Sequence, residues 1–427
     1  MIVTQLIEKA MKKAQGAHAW LNQSESTDVS FETNRLKSVE SSQRTGLGIK
    51  VILDGKVGSS HTTDIKDIDG VVDRALESAE FGSPAHFEFP APQEATDVKV
   101  YDDAVLPVSK DEMANIGKEM IALVREYNPE ILNYASVNKS IYKSEFANSK
   151  GVEYSNESTN FSLGVSGQLV RGTDILWTGH GFGWKKRDID HIEIAKEAIK
   201  RFKMAEKIAP VKSGDITVIF PPDSLMIVLL ALRLGVNGKN VFLGSSPLAG
   251  RIGEKIADEK LTIIDNGLID YMGNSAKYDG EGVPHQELPI IENGVLKNFL
   301  YDLDTAGRAG AKTTGHGVGC NPTNVIIKEG DVSFEEMLKN TKEGLMVYDV
   351  MGLGQGNAMS GEFSVNVNLG FKIENGEIVG RVKDVMLSGN TYDAITKIEA
   401  LSDKAECVGG SLLAPYMKIS NLSVVAK

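Results

Sequence analysis

Apolar positions recur at helical spacing in four stretches of the chain and alternate with polar ones over most of the rest. Ile2, Leu6, Ala10, Met11 and Ala14 fall on one helical face, and Gly16 marks its stop. A second helix is expected from Ser109, where Ser109 and Glu112 have capping-box spacing and Met113, Ile116, Met120 and Val124 form the apolar stripe. A third spans about Ile189 to Lys207 and ends before Pro210; a fourth spans about Asp223 to Leu234, after a strand at Asp215 to Phe220 and the Pro221-Pro222 pair.

The alternating segments point to hairpins. Gly48 to Leu53 and Lys56 to His61 flank Asp54-Gly55, a pair that tolerates the positive φ angles of a type I′ turn. Asn293-Gly294 and Asn375-Gly376 stand at the centres of two more such patterns, over Leu288 to Leu300 and Phe371 to Val382. Ile131 to Trp177 reads as an antiparallel meander with a turn at Asn148 to Gly151, Gly361 to Phe371 and Met417 to Val425 as strands, and Phe81 to Gln93 as a surface loop. The expected class is α+β in two domains. Residues 1–210 should pack helices on antiparallel hairpin sheets, and 211–427 should be mostly β with few helices, the boundary falling at Pro210 to Gly214.

Composition narrows the setting. The 427 residues are 41% hydrophobic and 24% charged, the balance of a folded globular chain. Two cysteines, Cys320 and Cys407, fit a reducing compartment, and the mixed charges among Met1 to Gly16 do not resemble a secretory leader, so a cytoplasmic location is expected. The longest apolar run, Ser224 to Leu232, is half a membrane span, so no membrane association is expected. A net charge of −12 disfavours direct nucleic-acid binding.

Chemistry is sparse in the motifs. No histidine among the seven has another within one helical turn, and none is followed directly by Glu, so the local pattern of a zinc-protease helix is missing. His316 and Cys320 share one Gly-rich loop and could be a base and a nucleophile, two soft metal ligands, or simply turn residues. Asp279 and Glu281 could hold a cation, act as acid and base, or be solvated. Gly352-Leu-Gly-Gln-Gly356 lacks the spacing of a dinucleotide loop and the Lys of a phosphate loop, which favours a tight β connection.

Several segments together resemble the TldD/PmbA family, known as candidate modulators of DNA gyrase and including cytoplasmic peptidases. In the first half these are Thr45 to Ser59 and Asn148-Ser-Lys-Gly151; in the second, Asp279-Gly-Glu-Gly-Val283, Ile291 to Leu296, Ser360-Gly-Glu-Phe363 and Ile373-Glu-Asn-Gly376. The resemblance spans nearly the whole chain and implies one of two branches. The catalytic branch carries HExxxH on a helix that follows a strand, with a cysteine near the C-terminus completing the metal site. The corresponding stretch here, Pro222 to Leu234, has neither His nor Glu, and Cys407 alone could not hold a catalytic zinc. Thr314-Gly-His-Gly317 and Gly410 to Pro415 resemble the other branch, PmbA or TldE.

The resemblance thus implies a non-catalytic subunit that closes a peptide chamber, binding no metal itself and pairing with a zinc-bearing TldD-like partner or with a second copy. Asp279, Glu281, His316, Asn321 and Ser360 are its candidate peptide-cleft residues. Two other readings remain: a metal-free hydrolase built on His316 and Cys320, or a binding module linked to DNA gyrase or toxin–antitoxin control.

Overall fold

The computed structural model describes residues 1–426. The hairpins of the first half join into one antiparallel sheet of six strands. These are β1 (Gly16–Glu32), β2 (Arg35–Leu53), β3 (Lys56–Thr62), β4 (Leu132–Asn148), β5 (Glu153–Arg171) and β6 (Asp174–Trp184), in the order β3-β2-β1-β4-β5-β6. Asp54 and Gly55 turn β2 into β3 at φ 49° and 73°, as a type I′ turn requires.

Four helices cover one face of this sheet. α1 (Ile2–Ala10) and α2 (Ile68–Glu80) pack on the β1–β3 end; α3 (Lys110–Tyr127) and α4 (His191–Met204) pack on the other. Ser109 caps α3 by accepting from the Glu112 amide, and Asp190 caps α4 through the Ile192 amide. The sequence pattern placed Met11 on the apolar face of α1, but the helix ends at Ala10 and Met11 is exposed. It gave no sign of α2, whose buried Val71, Val72, Ala75, Leu76 and Ala79 sit among five charged residues. The β1–β2 turn at Thr33-Asn34 was also missed: both residues have positive φ without a glycine.

The opposite face of the sheet carries no helix. Along β1 and β4 it presents the cross-strand pairs Trp20 with Phe146, Asn22 with Ser144, Ser24 with Tyr142 and Ser26 with Ser140. The expected surface loop after Phe81 is an extended strap. Val100 accepts from the Thr159 amide of β5, while Lys99 accepts from the Tyr271 amide in the second half.

The second half contains β7 (Gly214–Phe220), β8 (Ile263–Asn266), β9 (Glu287–Glu292), β10 (Val295–Leu296), β11 (Val325–Ile327) and β12 (Glu343–Met351). It continues through β13 (Glu362–Glu374), β14 (Glu377–Arg381), β15 (Val385–Asn390), β16 (Ile398–Val408) and β17 (Leu412–Ala426). β17, β15, β13, β12 and β7 pair in turn and β7 pairs back to β17, closing a five-stranded ring. Two pairs, β7 with β12 and β11 with β17, are parallel, so crossovers occur beside the expected hairpins. The helices are short: α5 (Met226–Gly235), α6 (Gly238–Phe242), α7 (Leu303–Ala309), α8 (Phe334–Lys339) and α9 (Thr391–Ala394). Phe371 and Ile219 of this half share a core with Phe161 and Phe202 of the first.

Candidate functional site

Between the uncovered face of the first sheet and the loop before β9 lies a cavity of about 880 Å³, bordered by Trp20 and Lys50 on one side and Tyr278 and Asp279 on the other. The acidic loop singled out in the sequence forms part of this boundary. Asp279 organises its own loop: Oδ1 accepts from the Glu281 and Val283 amides at 2.8 and 2.9 Å, and Oδ2 accepts from Gly317 at 2.8 Å. Burial pushes its carboxyl up, against the pull of those three N–H groups. Glu281 accepts from the Leu303 amide and lies 3.5 Å from the Lys50 ammonium, a partner 231 positions away on β2. Burial raises the Glu281 carboxyl as well, with Lys50 opposing it.

The loop reaches the sheet because Gly282, at φ 82°, has no side chain. A Cβ there would stand 2.7 Å from the Phe146 ring. Phe146 stacks on Tyr154 at 5.1 Å and Tyr154 on Tyr278 at 4.5 Å, both at 13°, so an aromatic ladder crosses from the sheet to the loop. His18, at 2% exposure, abuts Phe146 and Phe89.

The side chains of His316 and Cys320 turn to different partners. The buried His316 ring uses both nitrogens: Nε2 bonds Asp265 at 2.8 Å and Nδ1 bonds Thr314 Oγ1 at 2.9 Å. Cys320 Sγ accepts from the Asp302 amide at 3.3 Å and contacts Thr305 Oγ1 at 3.2 Å, and burial pushes the thiol up, away from the thiolate a nucleophile needs. Thr314, His316 and Asp265 have the connectivity of a relay. The Thr314 hydroxyl, however, already accepts from the Tyr301 amide at 2.7 Å, and neither Thr314 nor His316 lines the 880 Å³ cavity. The row pins the 314–323 loop to β8 through Thr323, whose amide and hydroxyl both donate to Asp265.

The other expected cleft residues lie apart from the large cavity. Asn321 accepts from Arg233 of α5 at 3.0 Å, and Ser360 donates to the Asn357 carbonyl in the β12–β13 connection. Sequence reasoning missed His18, Trp20 and Lys50. The alternation of β1 and β2 could have placed them on one strand face, but nothing local shows which face a distant loop covers.

A second cavity, about 480 Å³, borders α4 and the start of the second half. There Arg201 donates to His180 Nδ1 at 3.2 Å and to Asp223 at 3.0 Å. Asp223, the acid preceding α5, is thus held by a guanidinium.

His285, packed edge-on to His316, has its pKa lowered to about 4, first by burial and then by His316. The unfolded chain binds this proton from pH 6.5 downward, the folded chain only near 4, so stability present above 6.5 is lost as pH falls through that window. Urea unfolding is expected to show wild type losing about 3 kcal/mol more than His285→Gln between pH 7 and pH 4. Equal losses would rule out this linkage.

Comparison with known proteins places the chain. Models of the PmbA/TldA metallopeptidase match throughout: domain 1 over residues 21–79, the central domain over 103–205 and the C-terminal domain over 213–426. Metalloprotease PmbA of Escherichia coli is 28% identical over 442 residues, covering 98% of this chain and 95% of its own. The PmbA homologue of Haemophilus influenzae is 26% identical, covering 97% and 94%. A protein of Saccharolobus solfataricus described as a zinc metalloprotease TldD homologue is 27% identical, covering 74% and 76%. Two solved structures share the fold. TldE of Thermococcus kodakarensis superposes with a TM-score of 0.92 at 21% identity, covering 100% of both chains. A Thermotoga maritima protein described as a candidate modulator of a DNA gyrase gives 0.93 at 24%, covering 99% of both. With its second half matched end to end and relatives aligned over nearly its full length, the chain belongs to the PmbA/TldD metallopeptidase family.

Proposed function

We propose that this chain is the metal-free subunit of a peptide-processing assembly, paired with a zinc-bearing relative. The observation that carries the reading is the composition of α5. Met226–Gly235 reads Met-Ile-Val-Leu-Leu-Ala-Leu-Arg-Leu-Gly and offers no His, Glu, Asp or Cys. Zinc needs three or four N, S or O donors converging on one point. No cluster of three His, Cys, Asp or Glu side chains among the described residues could supply them.

The neighbouring candidates do not repair the deficit. Asp223 is bound by Arg201, and Cys407 on β16 is half-buried, its thiol pushed up by burial. α5 instead spends its side chains on packing, with Ile227, Val228, Leu229, Ala231 and Leu232 buried. The donor set therefore does not fit a catalytic zinc. A relative described as a zinc metalloprotease supports reading the metal chemistry as supplied by such a partner. The large cavity and the helix-free polar sheet face support a role in holding peptide.

Co-expression with an HExxxH-bearing relative tests the proposal. The two chains are expected to co-elute, and the pair to cleave unfolded peptides. Cleavage should vanish with a chelator and when the partner's motif Glu is changed to Gln, and this chain with added zinc should be inactive alone. Failure to associate with any such relative, or zinc-dependent cleavage by the isolated chain, would overturn it.

No helix among the described residues is long and apolar enough to cross a membrane, and the assembly needs none.

A further inference from the structure

A third cavity, of about 150 Å³, lies against α5. The helix lines it with Met226, Leu229, Leu232, Arg233 and Val236, positions that recur three or four apart and so share one face. Ile263 of β8 and Ile290 of β9 line it as well. A dry apolar space of roughly this size accepts a benzene-sized group, so the cavity has room for one branched aliphatic or phenyl side chain. Met226 and Arg233 are both exposed, so the cavity reaches the surface along this face of the helix.

Two charged residues line the cavity, and they differ in what they have left to offer. Asp265 is spent on His316 and on the amide and hydroxyl of Thr323. Arg233 donates through Nη2 to Asn321 Oδ1 at 3.0 Å, a neutral acceptor, and pairs with no carboxylate among the described residues. Asn321 directly precedes Pro322 and Thr323, which line the cavity, so this bond holds the guanidinium at the rim. A guanidinium has five N–H donors in a planar fork, and one bond to an amide leaves it able to take a carboxylate. The helix without zinc donors thus combines an apolar lining with one uncompensated cation.

We infer that this cavity holds the hydrophobic C-terminal residue of a peptide, its side chain among the leucines and isoleucines and its carboxylate on Arg233. In a peptide only the last residue carries an apolar side chain and a free carboxylate on the same Cα, which matches an apolar space with a cation at its rim. The peptide nature of the ligand rests on the role proposed above; the cavity and its cation do not.

Calorimetric titration of the full chain with N-acetylleucine, N-acetylleucinamide, N-acetylalanine, isocaproate and N-acetyl-alanyl-alanyl-leucine tests it. N-acetylleucine and the tripeptide are expected to bind, with N-acetylleucinamide and N-acetylalanine at least about tenfold weaker, because one lacks the charge and the other the apolar group. Arg233→Gln, at an exposed position, should lower the affinity for N-acetylleucine to that of its amide while melting like the wild type. Arg233→Lys keeps the charge and loses the planar fork, so it should fall between the two. Should Arg233→Gln fail to fold, the comparison of acid with amide on the wild type decides alone.

Equal binding of N-acetylleucine and its amide, equal binding of N-acetylleucine and N-acetylalanine, no binding of any probe, or wild-type affinity in a folded Arg233→Gln would overturn the inference. So would binding of isocaproate with rejection of the tripeptide, which would make the ligand a free acid. Binding of the tripeptide by a chain that associates with no zinc-bearing relative would keep the pocket and refute the assembly instead.

Discussion

Phe371→Ala is expected to destabilise the protein by about 4 kcal/mol and to move the unfolding of both halves together. Phe371 is fully buried on β13 and meets Tyr348 edge-on at 5.7 Å between ring centres. Its core also includes Phe161 of β5 and Phe202 of α4, so truncation opens a cavity between the two halves as well as within one. The three tryptophans, Trp20, Trp177 and Trp184, all lie in the first half, which makes their fluorescence a reporter of that half alone. A tryptophan transition that shifts in step with far-UV circular dichroism in Phe371→Ala shows one cooperative unit. An unmoved tryptophan midpoint would mean that residues 1–210 and 211–427 fold independently.

Asp265→Ala should cost a similar amount for a different reason. Asp265 is 1% exposed and accepts from His316 Nε2, the Thr323 amide and the Thr323 hydroxyl. Alanine strands three buried donors, each costing roughly 1–3 kcal/mol, and releases the 314–323 loop from β8; a total of about 4 kcal/mol is expected in urea unfolding. Asp265→Asn retains one acceptor oxygen but turns an N–H₂ toward groups that donate, so it should fall between the two. A loss below about 1 kcal/mol in Asp265→Ala would show that water replaces the carboxylate, contrary to the burial of the row.

These two expectations use contacts that local patterns could not reveal, whereas much of the secondary structure was legible. Ser109 and Glu112 announced α3 because a cap and its helix lie within four residues. Asp54-Gly55, Asn293-Gly294 and Asn375-Gly376 announced hairpins because positive φ is cheap for those residues wherever they occur. α2 escaped because its apolar stripe is diluted by charge, and the Thr33-Asn34 turn because no glycine marks it. The site was legible only in fragments. Asp279 and Glu281 stood out as a pair, but Lys50, the partner that gives Glu281 its setting, lies 231 residues away. Conversely, the four-residue spacing of His316 and Cys320 left a catalytic couple, two metal ligands or plain turn residues open, and the fold turns the imidazole toward Asp265 and the thiol toward Thr305.

The sequence by itself determined α1, α3, α4 and α5, the Asp-Gly and Asn-Gly hairpins, the α+β class, the family, and the lack of zinc donors along α5, because each rests on residue identity and short-range geometry. Only the tertiary structure decided that β7 closes a ring with β17, that the strap after α2 ties the halves together, and that His18, Lys50 and an aromatic ladder border one cavity. Burial and hydrogen-bond partnership belong to groups brought together from distant parts of the chain, and no local periodicity encodes which strand face a remote loop will cover.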